Sequence, residues 1–192
     1  MVLTPTIERA IQKASLLHRN QERRGAPNFP YITHLFSVAA ILSNYTRDEE
    51  VIVAGLLHDT LEDTAYTKKD LEADFGKSVA EIVSEVSETK EENGQKVAWK
   101  VRKQRYIDTL KEARREALLV SAADKIHNLR SAIEDFKKHG PAIWKHFSSG
   151  PKDLLWFNRE VLEVLKTRLN NGIVAEFETV YDEAALLFSD QQ

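Results

Sequence analysis

The chain has 192 residues, of which 42% are hydrophobic and 30% charged, and its formal net charge is −3. This composition is ordinary for a soluble globular protein of one domain, and the negative balance argues against general nucleic-acid binding, which needs many phosphate-neutralising cations. There is no cysteine, which excludes a disulfide framework and a thiolate site, so oxygen and imidazole must supply any metal ligands.

Membrane and export signals are also missing from the sequence. No apolar run approaches the roughly 20 residues that cross a bilayer, and the first residues lack the charged start and long apolar segment of a signal peptide. We therefore expect a cytoplasmic protein. None of the 7 glycines and 5 prolines belongs to a glycine loop that cradles phosphate.

Helical periodicity dominates the chain from its start. Thr4 and Pro5 are typical of a helix cap and first turn, and they predict a helix to about Arg23. A loop over 25–30 precedes a second helix that carries His34 on a mostly apolar side. Asp48 is the expected cap of a third helix, which leads into His58.

The remaining elements are predicted in the same way. Thr67 begins a short helix that ends near Gly76, and residues 88–96 form a polar break that we expect to be a mobile surface loop. Further helices are predicted over about 78–88, 97–115, 116–136, 152–170 and 174–188. The predicted fold is an all-α bundle of about eight to ten helices, a single domain over 1–192 with a core of about 5–170 and helix 174–188 packed on it.

The most informative segment is 56–64, Leu-Leu-His58-Asp59-Thr-Leu-Glu62-Asp63-Thr. In one continuous helix, residues three and four apart share a face, so His58 would stack over Glu62, and Asp59 over Glu62 and Asp63. Ionisable groups on a buried helix are usually paired or bound to metal. The segment therefore predicts a divalent-cation site with carboxylates left over to activate water.

Two distant residues fit the same site. His34 alone is more typical of a core histidine bonded to a backbone carbonyl. Asp124 interrupts the apolar run 117–126, where an unpaired carboxylate would cost several kcal/mol by order of magnitude, so its partner is either a cation or a buried lysine or arginine. With His58 and Asp59 they make a mixed set of two nitrogens and two oxygens, which suits Mn, Fe, Co, Ni or Zn better than calcium.

Glu62 and Asp63 are the catalytic candidates, because a carboxylate beside a metal site can take the proton of an attacking water. The alternative is a solvated helix end. Solvent-facing positions are also expected for three groups of residues: the cations Arg102, Lys103 and Arg105; the series Glu81, Glu85 and Glu88; and the histidines His18, His139 and His146. His127 is expected behind the ligands or in the core.

Three strings carry a family resemblance: Tyr31-Ile-Thr-His34, the run from His58 to Thr64, and Ala123-Asp-Lys-Ile-His-Asn-Leu-Arg130. They resemble the HD-domain metal-dependent phosphohydrolase superfamily. Within it, the chain is similar to the hydrolase domain of the bifunctional RelA/SpoT enzymes and to the stand-alone small alarmone hydrolases, including the metazoan SpoT homologue. The resemblance covers roughly residues 5–170.

The resemblance implies an HD-type helical bundle that hydrolyses the 3′-pyrophosphate of guanosine 3′,5′-bis(diphosphate), or ppGpp, usually with Mn²⁺. Carried over position by position, it implies metal ligands His34, His58, Asp59 and Asp124, water activation by Glu62 and Asp63, and nucleotide contacts by Arg24, Lys125, Asn128 and Arg130. The expected partner is a small nucleotide rather than nucleic acid or membrane, and a homo-oligomer stays open.

The chain departs from the family pattern on both sides of the first histidine, His34. The run from Arg23 to Tyr31 is one residue longer than usual, and Leu35 replaces a proline. These positions lie where base and phosphate contacts are made. Two alternatives therefore stay open: an HD nucleotidase that releases orthophosphate from a nucleoside monophosphate, and a sensor that binds nucleotide and metal without turnover.

Overall fold

The computed structural model of the chain describes residues 1–23, 29–92 and 94–189. These residues form ten α-helices: α1 (Pro5–Leu17), α2 (Ile32–Tyr45), α3 (Glu49–Leu57), α4 (Thr60–Asp63), α5 (Lys68–Phe75), α6 (Lys77–Glu85), α7 (Trp99–Glu112), α8 (Arg115–His139), α9 (Pro151–Arg168) and α10 (Gly172–Ser189). A 3₁₀ helix, Gly140–His146, joins α8 to α9. The prediction of an all-α fold is confirmed.

Three helix starts lie where the sequence predicted them. The Thr4 hydroxyl accepts a hydrogen bond from the Ile7 amide at 3.2 Å, and the Asp48 carboxylate accepts one from the Glu50 amide at 3.0 Å. Thr67 forms a capping box at the start of α5. In each case a side-chain oxygen satisfies an amide that the helix itself leaves unpaired.

Helix α8 is the centre of the bundle. It packs against α2, α3, α6, α9 and α10, and residues 117–126 are all buried. A helix that is surrounded by other helices must be apolar on nearly every side. Asp124 therefore lies in the interior of the molecule, where α2 and α3 also meet α8.

Helix α1 is shorter than predicted and ends at Leu17 rather than near Arg23. The residues that follow pair with the segment ahead of α2: the Tyr31 amide donates to the Gln21 carbonyl at 2.9 Å, and the Arg23 amide donates to the Phe29 carbonyl at 3.1 Å. This antiparallel pairing replaces the helical hydrogen bonds that were expected.

The predicted continuous helix through 56–64 is wrong. Helix α3 ends at Leu57, and α4 is a single turn that starts at Thr60. The His58 ring donates through Nδ1 to the Gly55 carbonyl at 2.8 Å, and the Thr60 hydroxyl donates to the Leu57 carbonyl at 2.7 Å. Side chains thus donate to backbone carbonyls at the end of α3, in place of backbone amides, and this favours termination of the helix there.

The polar break between α6 and α7 contains a short antiparallel hairpin, β1 (Glu91–Glu92) with β2 (Gln95–Lys96). The strand residues are exposed, as expected of a surface segment, and the mobility of this segment stays a prediction. Helix α10 packs on α8 and α9, close to the predicted bounds of 174–188. Within the described part of the chain, every helix is too short or too polar to cross a lipid bilayer.

Candidate active site

A cleft of about 530 Å³ opens where α4, the root of the hairpin, α7, α8 and the start of α9 meet. It is lined by most of the residues singled out from the sequence, namely His58, Asp59, Glu62, Asp63, Asp124, Lys125 and Asn128. Packing of α2 and α3 against α8 brings His34 to the same place. The structure therefore collects residues that are up to 90 positions apart, from His34 to Asp124, at one end of the cleft.

Four side chains converge there. The Nε2 atoms of His34 and His58 lie 3.3 Å apart. The Asp59 Oδ2 atom lies 3.5 Å from the first and 3.2 Å from the second. On the Asp124 side, Oδ1 lies 3.1 Å from His34 Nε2 and 3.5 Å from His58 Nε2.

These spacings fit a bound divalent ion. Ligand bonds of about 2.1 Å place neighbouring donor atoms roughly 3.0–3.4 Å apart in octahedral or tetrahedral geometry. His34, His58 and Asp59 have ligand atoms that all lie within 4.8 Å of one another, and Asp124 faces both imidazoles. The donor set of imidazole and carboxylate is one that could hold a divalent metal.

The imidazoles are held with Nε2 directed into the cluster. The His58 Nδ1–H group donates to the Gly55 carbonyl, so Nε2 is the ring atom that faces the cluster, where a metal ion would replace its proton. On the opposite side, His34 Nδ1 lies 2.8 Å from His127 Nδ1. His127 therefore supports a ligand from behind, as expected. Such outer contacts fix the tautomer and orientation of metal-binding histidines.

Charge inside the cluster is strongly coupled. Burial lowers the pKa of His34. His58 is equally buried, yet Asp59 and Asp124 outweigh burial and raise its pKa well above the usual range. Burial would raise the pKa of Asp124, but Lys125 and the two imidazoles outweigh it and hold that pKa well below its usual value. The carboxylates are thus poised in the ionised form that a cation requires.

Asp124 has the lysine partner that the sequence left as one alternative, and its other oxygen faces the candidate metal site. Its Oδ2 atom accepts from the Lys125 ammonium at 2.6 Å, while Oδ1, which also accepts from the Asn128 amide at 2.5 Å, faces the imidazoles. A lysine partner and a place among the ligands are therefore compatible, because they use different oxygens.

Glu62 and Asp63 lie at the rim of the cluster rather than stacked beneath it. One Glu62 oxygen accepts from the Glu88 amide at 2.8 Å and the other lies 3.3 Å from the Lys90 ammonium, which also pairs with Asp63. Burial, and then the charges of Asp59 and Glu88, raise the pKa of Glu62 to about 7. A carboxyl group with that pKa can exchange a proton near neutral pH.

Beside Glu62, on the far side of Glu88, two cations of α7 line the cleft. Glu88, whose side chain is only 7% exposed, pairs with Arg102 at 3.2 Å and with Lys103 at 2.5 Å. The expectation of solvated positions is wrong for these three residues, because α7 presents Arg102 and Lys103 to the cleft and Glu88 lines it beside them. It is confirmed for Arg105, which is half exposed and pairs with Glu92.

The remaining nucleotide contacts predicted from the sequence have different outcomes. Lys125 and Asn128 line the cleft. Arg130 lies outside the cleft lining and pairs with Glu176 of α10 at 2.7 Å, so its position does not support a nucleotide contact. Arg24 lies outside the described residues.

One aromatic residue of the site, Tyr31, was not assigned a role from the sequence. The Tyr31 hydroxyl donates to Asp59 Oδ2 at 2.6 Å, and the Tyr31 ring stacks on His18. His18 is 1% exposed, so its predicted surface position is wrong, whereas His139 and His146 are exposed as expected. Tyr31 belongs to Tyr31-Ile-Thr-His34, the first string of the family resemblance, and membership of that string is what could have pointed to its role in the site.

The family model described as "HD domain" matches residues 10–152. This range includes all four converging side chains and both rim acids. The chain belongs to the HD-domain family.

Several relatives share this HD domain. A protein from Danio rerio named guanosine-3′,5′-bis(diphosphate) 3′-pyrophosphohydrolase MESH1 is 38% identical over 74% of this chain and 73% of its own length. The Drosophila melanogaster protein of that name is 35% identical over 70% and 71%. A Streptomyces coelicolor GTP pyrophosphokinase is 38% identical over 65% of the chain, which spans only 14% of that relative's length.

Solved structures of HD-domain proteins match over more of the chain. One, described as a metazoan ortholog of SpoT that hydrolyses ppGpp, covers 97% of this chain and 99% of its own with a TM-score of 0.78 and 26% identity. The crystal structure of lmo0812 from Listeria monocytogenes covers 81% and 97%, with a TM-score of 0.70 and 31% identity.

Proposed function

We propose that this HD-domain protein is a metal-dependent hydrolase that removes the 3′-pyrophosphate of ppGpp, and that one domain over 1–192 carries the activity. The observation that carries the proposal is the convergence of two imidazoles and two carboxylates in a cleft that is also lined by Glu62 and by the cations Arg102, Lys103 and Lys125. The relatives named for ppGpp hydrolysis, which align over about 70% of the chain, support the choice of substrate.

His34, His58, Asp59 and Asp124 would hold the divalent ion, and we propose Mn²⁺, since a mixed nitrogen and oxygen set suits first-row transition metals. When bound, the ion would supply Lewis-acid polarisation and an activated water. The sequence has no cysteine, so the protein offers no thiolate ligand that would favour a softer metal.

The proton chemistry falls to the rim acids. In the proposed reaction a water oxygen bonds to the phosphorus next to the ribose, the bond from that phosphorus to the 3′-oxygen breaks, and pyrophosphate leaves. Glu62, with a pKa raised to about 7, accepts a proton from the attacking water, and the departing 3′-oxygen takes up a proton from solvent to become the ribose 3′-hydroxyl of GDP. Asp63 pairs with Lys90 and holds it beside Glu62. The lysine in turn orients the Glu62 carboxylate.

The cations of the cleft hold the phosphates. Lys125 and Lys103 are nearly buried and lie beside the ring of Phe157, at 5.3 Å and 4.4 Å from its centre. Ammonium groups with so little water around them attract phosphate more strongly than exposed ones do. Asn128 supplies a polar contact in the same cleft. From the resemblance we also propose Arg24 as a nucleotide contact.

Product analysis tests the proposal. Metal-depleted protein is incubated with ppGpp, GDP or GMP, with and without Mn²⁺, and products are resolved by ion-exchange chromatography. We expect pyrophosphate and GDP from ppGpp only with Mn²⁺. Glu62→Gln should lower turnover by about 10²–10⁴-fold, the usual contribution of a general base.

Glu72→Gln, an exposed acid of α5, is the matched control and should retain full activity. Release of orthophosphate from GMP would instead support the nucleotidase alternative. Nucleotide binding without turnover under any metal would support a sensor. A cytoplasmic location and a possible homo-oligomer stay predictions.

A further inference from the structure

Asp59 has one ligand-facing oxygen, and a tyrosine holds that same atom. The Tyr31 hydroxyl donates to Asp59 Oδ2 at 2.6 Å. Oδ2 is also the atom that lies 3.2 Å from His58 Nε2 and 3.5 Å from His34 Nε2. The tyrosine bond therefore acts on the atom that would contact a metal ion.

Tyr31 is itself fixed at several points. Its ring stacks on the His18 ring with centroids 5.3 Å apart and planes at 24°. His18 is buried, and its Nδ1 atom lies 2.7 Å from the Gln21 side-chain oxygen. The Tyr31 amide donates to the Gln21 carbonyl. The phenol thus reaches Asp59 from a rigid support, with little freedom to move away.

Asp59 lacks comparable support of its own. It lies between α3 and α4, where its carbonyl accepts the first amide hydrogen bond of α4 but its side chain makes no capping hydrogen bond. Within 1–23, 29–92 and 94–189, the hydrogen-bond and ion-pair partners of its carboxylate are the two imidazoles and Tyr31. Without the tyrosine, only the imidazoles would orient this carboxylate, and they are themselves candidate ligands.

We propose that Tyr31 is a positioning residue that holds the Asp59 carboxylate with Oδ2 facing the two imidazoles, and so strengthens binding of a divalent ion. The inference rests on the metal site assigned under the proposed function. Contacts of this outer kind commonly change metal affinity or activity by about 10–100-fold when removed.

The test is the affinity for Mn²⁺ alone, measured by calorimetric titration of metal-depleted full-length protein. Tyr31→Phe keeps the ring that stacks on His18 and removes only the hydroxyl. We expect its Mn²⁺ affinity to fall about 10–100-fold, with a thermal midpoint of the metal-free protein close to that of the wild type.

Tyr66→Phe is the matched control. The Tyr66 hydroxyl also donates to an aspartate, Asp74 Oδ2, at 2.6 Å, but this pair lies outside the cleft lining. Its loss should leave Mn²⁺ affinity unchanged. A second variant, Gln21→Ala, removes the side-chain bonds to the Asp63 carbonyl and to His18 but keeps the Tyr31 hydroxyl, so its Mn²⁺ affinity should exceed that of Tyr31→Phe.

Equal or tighter Mn²⁺ binding by Tyr31→Phe would overturn the inference, since the hydroxyl would then be neutral or would only withdraw charge from the ligand oxygen. Failure of the wild type to bind Mn²⁺ would overturn it too, together with the metal site. Absence of ppGpp turnover by a protein that binds Mn²⁺ would refute the proposed function alone.

Discussion

The Nε2 atoms of His34 and His58 face each other at 3.3 Å, although the residues belong to α2 and to the end of α3. Two nitrogen lone pairs at this distance repel unless a proton or a cation lies between them. The buried carboxylates of Asp59 and Asp124 on either side favour a positive charge at that point. A divalent ion satisfies all four groups at once.

Metal removal should therefore destabilise the fold. At a hundredfold excess over the dissociation constant, a ligand of the native state adds about 2.7 kcal/mol to the free energy of unfolding. For a chain of this size that corresponds to roughly 5–10 °C in thermal midpoint. Thermal melts with Mn²⁺ and with a chelator measure the difference.

Asp124→Asn should abolish most of that metal-dependent shift, because it removes the charge that faces both imidazoles. Asp135→Asn, at another position along α8, should leave the shift intact. A shift of normal size in Asp124→Asn would remove Asp124 from the ligand set.

The pH dependence of turnover should follow Glu62. A base must be ionised to accept a proton, so activity is present above its pKa and is lost as the pH falls through it. Burial raises that pKa to about 7, and a bound divalent ion lowers it, which places the midpoint at or below 7. We expect kcat to fall about tenfold per pH unit below the midpoint. A profile that stays flat down to about pH 5 would exclude a base with a raised pKa.

Lys90→Met should move the acid limb of this profile to higher pH. Lys90 is one of the groups that lower the pKa of Glu62, so its loss leaves burial and the neighbouring acids less opposed. Because Lys90 is 41% exposed, solvent screens the effect, and we expect a shift of roughly half a pH unit or more. Lys96→Met, at an exposed position of β2, is the control and should leave the midpoint in place.

Gly55→Val should weaken both the fold and the metal site. A Cβ atom at Gly55 would lie 2.4 Å from Leu42 Cδ1, so the fully buried Leu42 side chain would have to repack between α2 and α3. Overpacking of this kind costs about 1–3 kcal/mol. Because the Gly55 carbonyl also orients the His58 ring, Mn²⁺ affinity should fall as well.

Urea unfolding and Mn²⁺ titration measure the two effects of Gly55→Val. Ala40→Val, at an exposed position of α2, shows the cost of a β-branched side chain in a helix without overpacking. Equal urea midpoints for the two variants would contradict the predicted overpacking between α2 and α3.

Local chemistry made much of the fold predictable. Thr4, Asp48 and Thr67 start helices because their side-chain oxygens accept amide hydrogen bonds within a few residues, which is visible in the sequence. The candidate ligands were predictable because a buried carboxylate such as Asp124 needs a partner. Which partner it takes was not, and it proved to have both a lysine and two imidazoles.

Contacts that depend on how helices pack could not be predicted from spacing. Whether Arg102 and Lys103 face solvent depends on the rotation of α7, and the charged pattern of that helix is equally typical of a solvated face. The pairing of residues 21–23 with residues 29–31 ahead of α2 replaced the last turns expected of α1. It also placed Tyr31 between His18 and Asp59. Neither pairing nor helix rotation has a periodic signature.

The segment from the end of α6 to the first turn of α7 contacts the cleft at Glu88 and Lys90 and again at Arg102. The exposed hairpin lies between these contacts. Among residues 86–92 and 94–102, these contacts with the cleft of the candidate ligands are made at the two ends of the segment. Insertions or deletions at its tip would therefore reshape the entrance while the helical scaffold stays as it is. This is a route by which closely similar chains could come to accept ligands of different size.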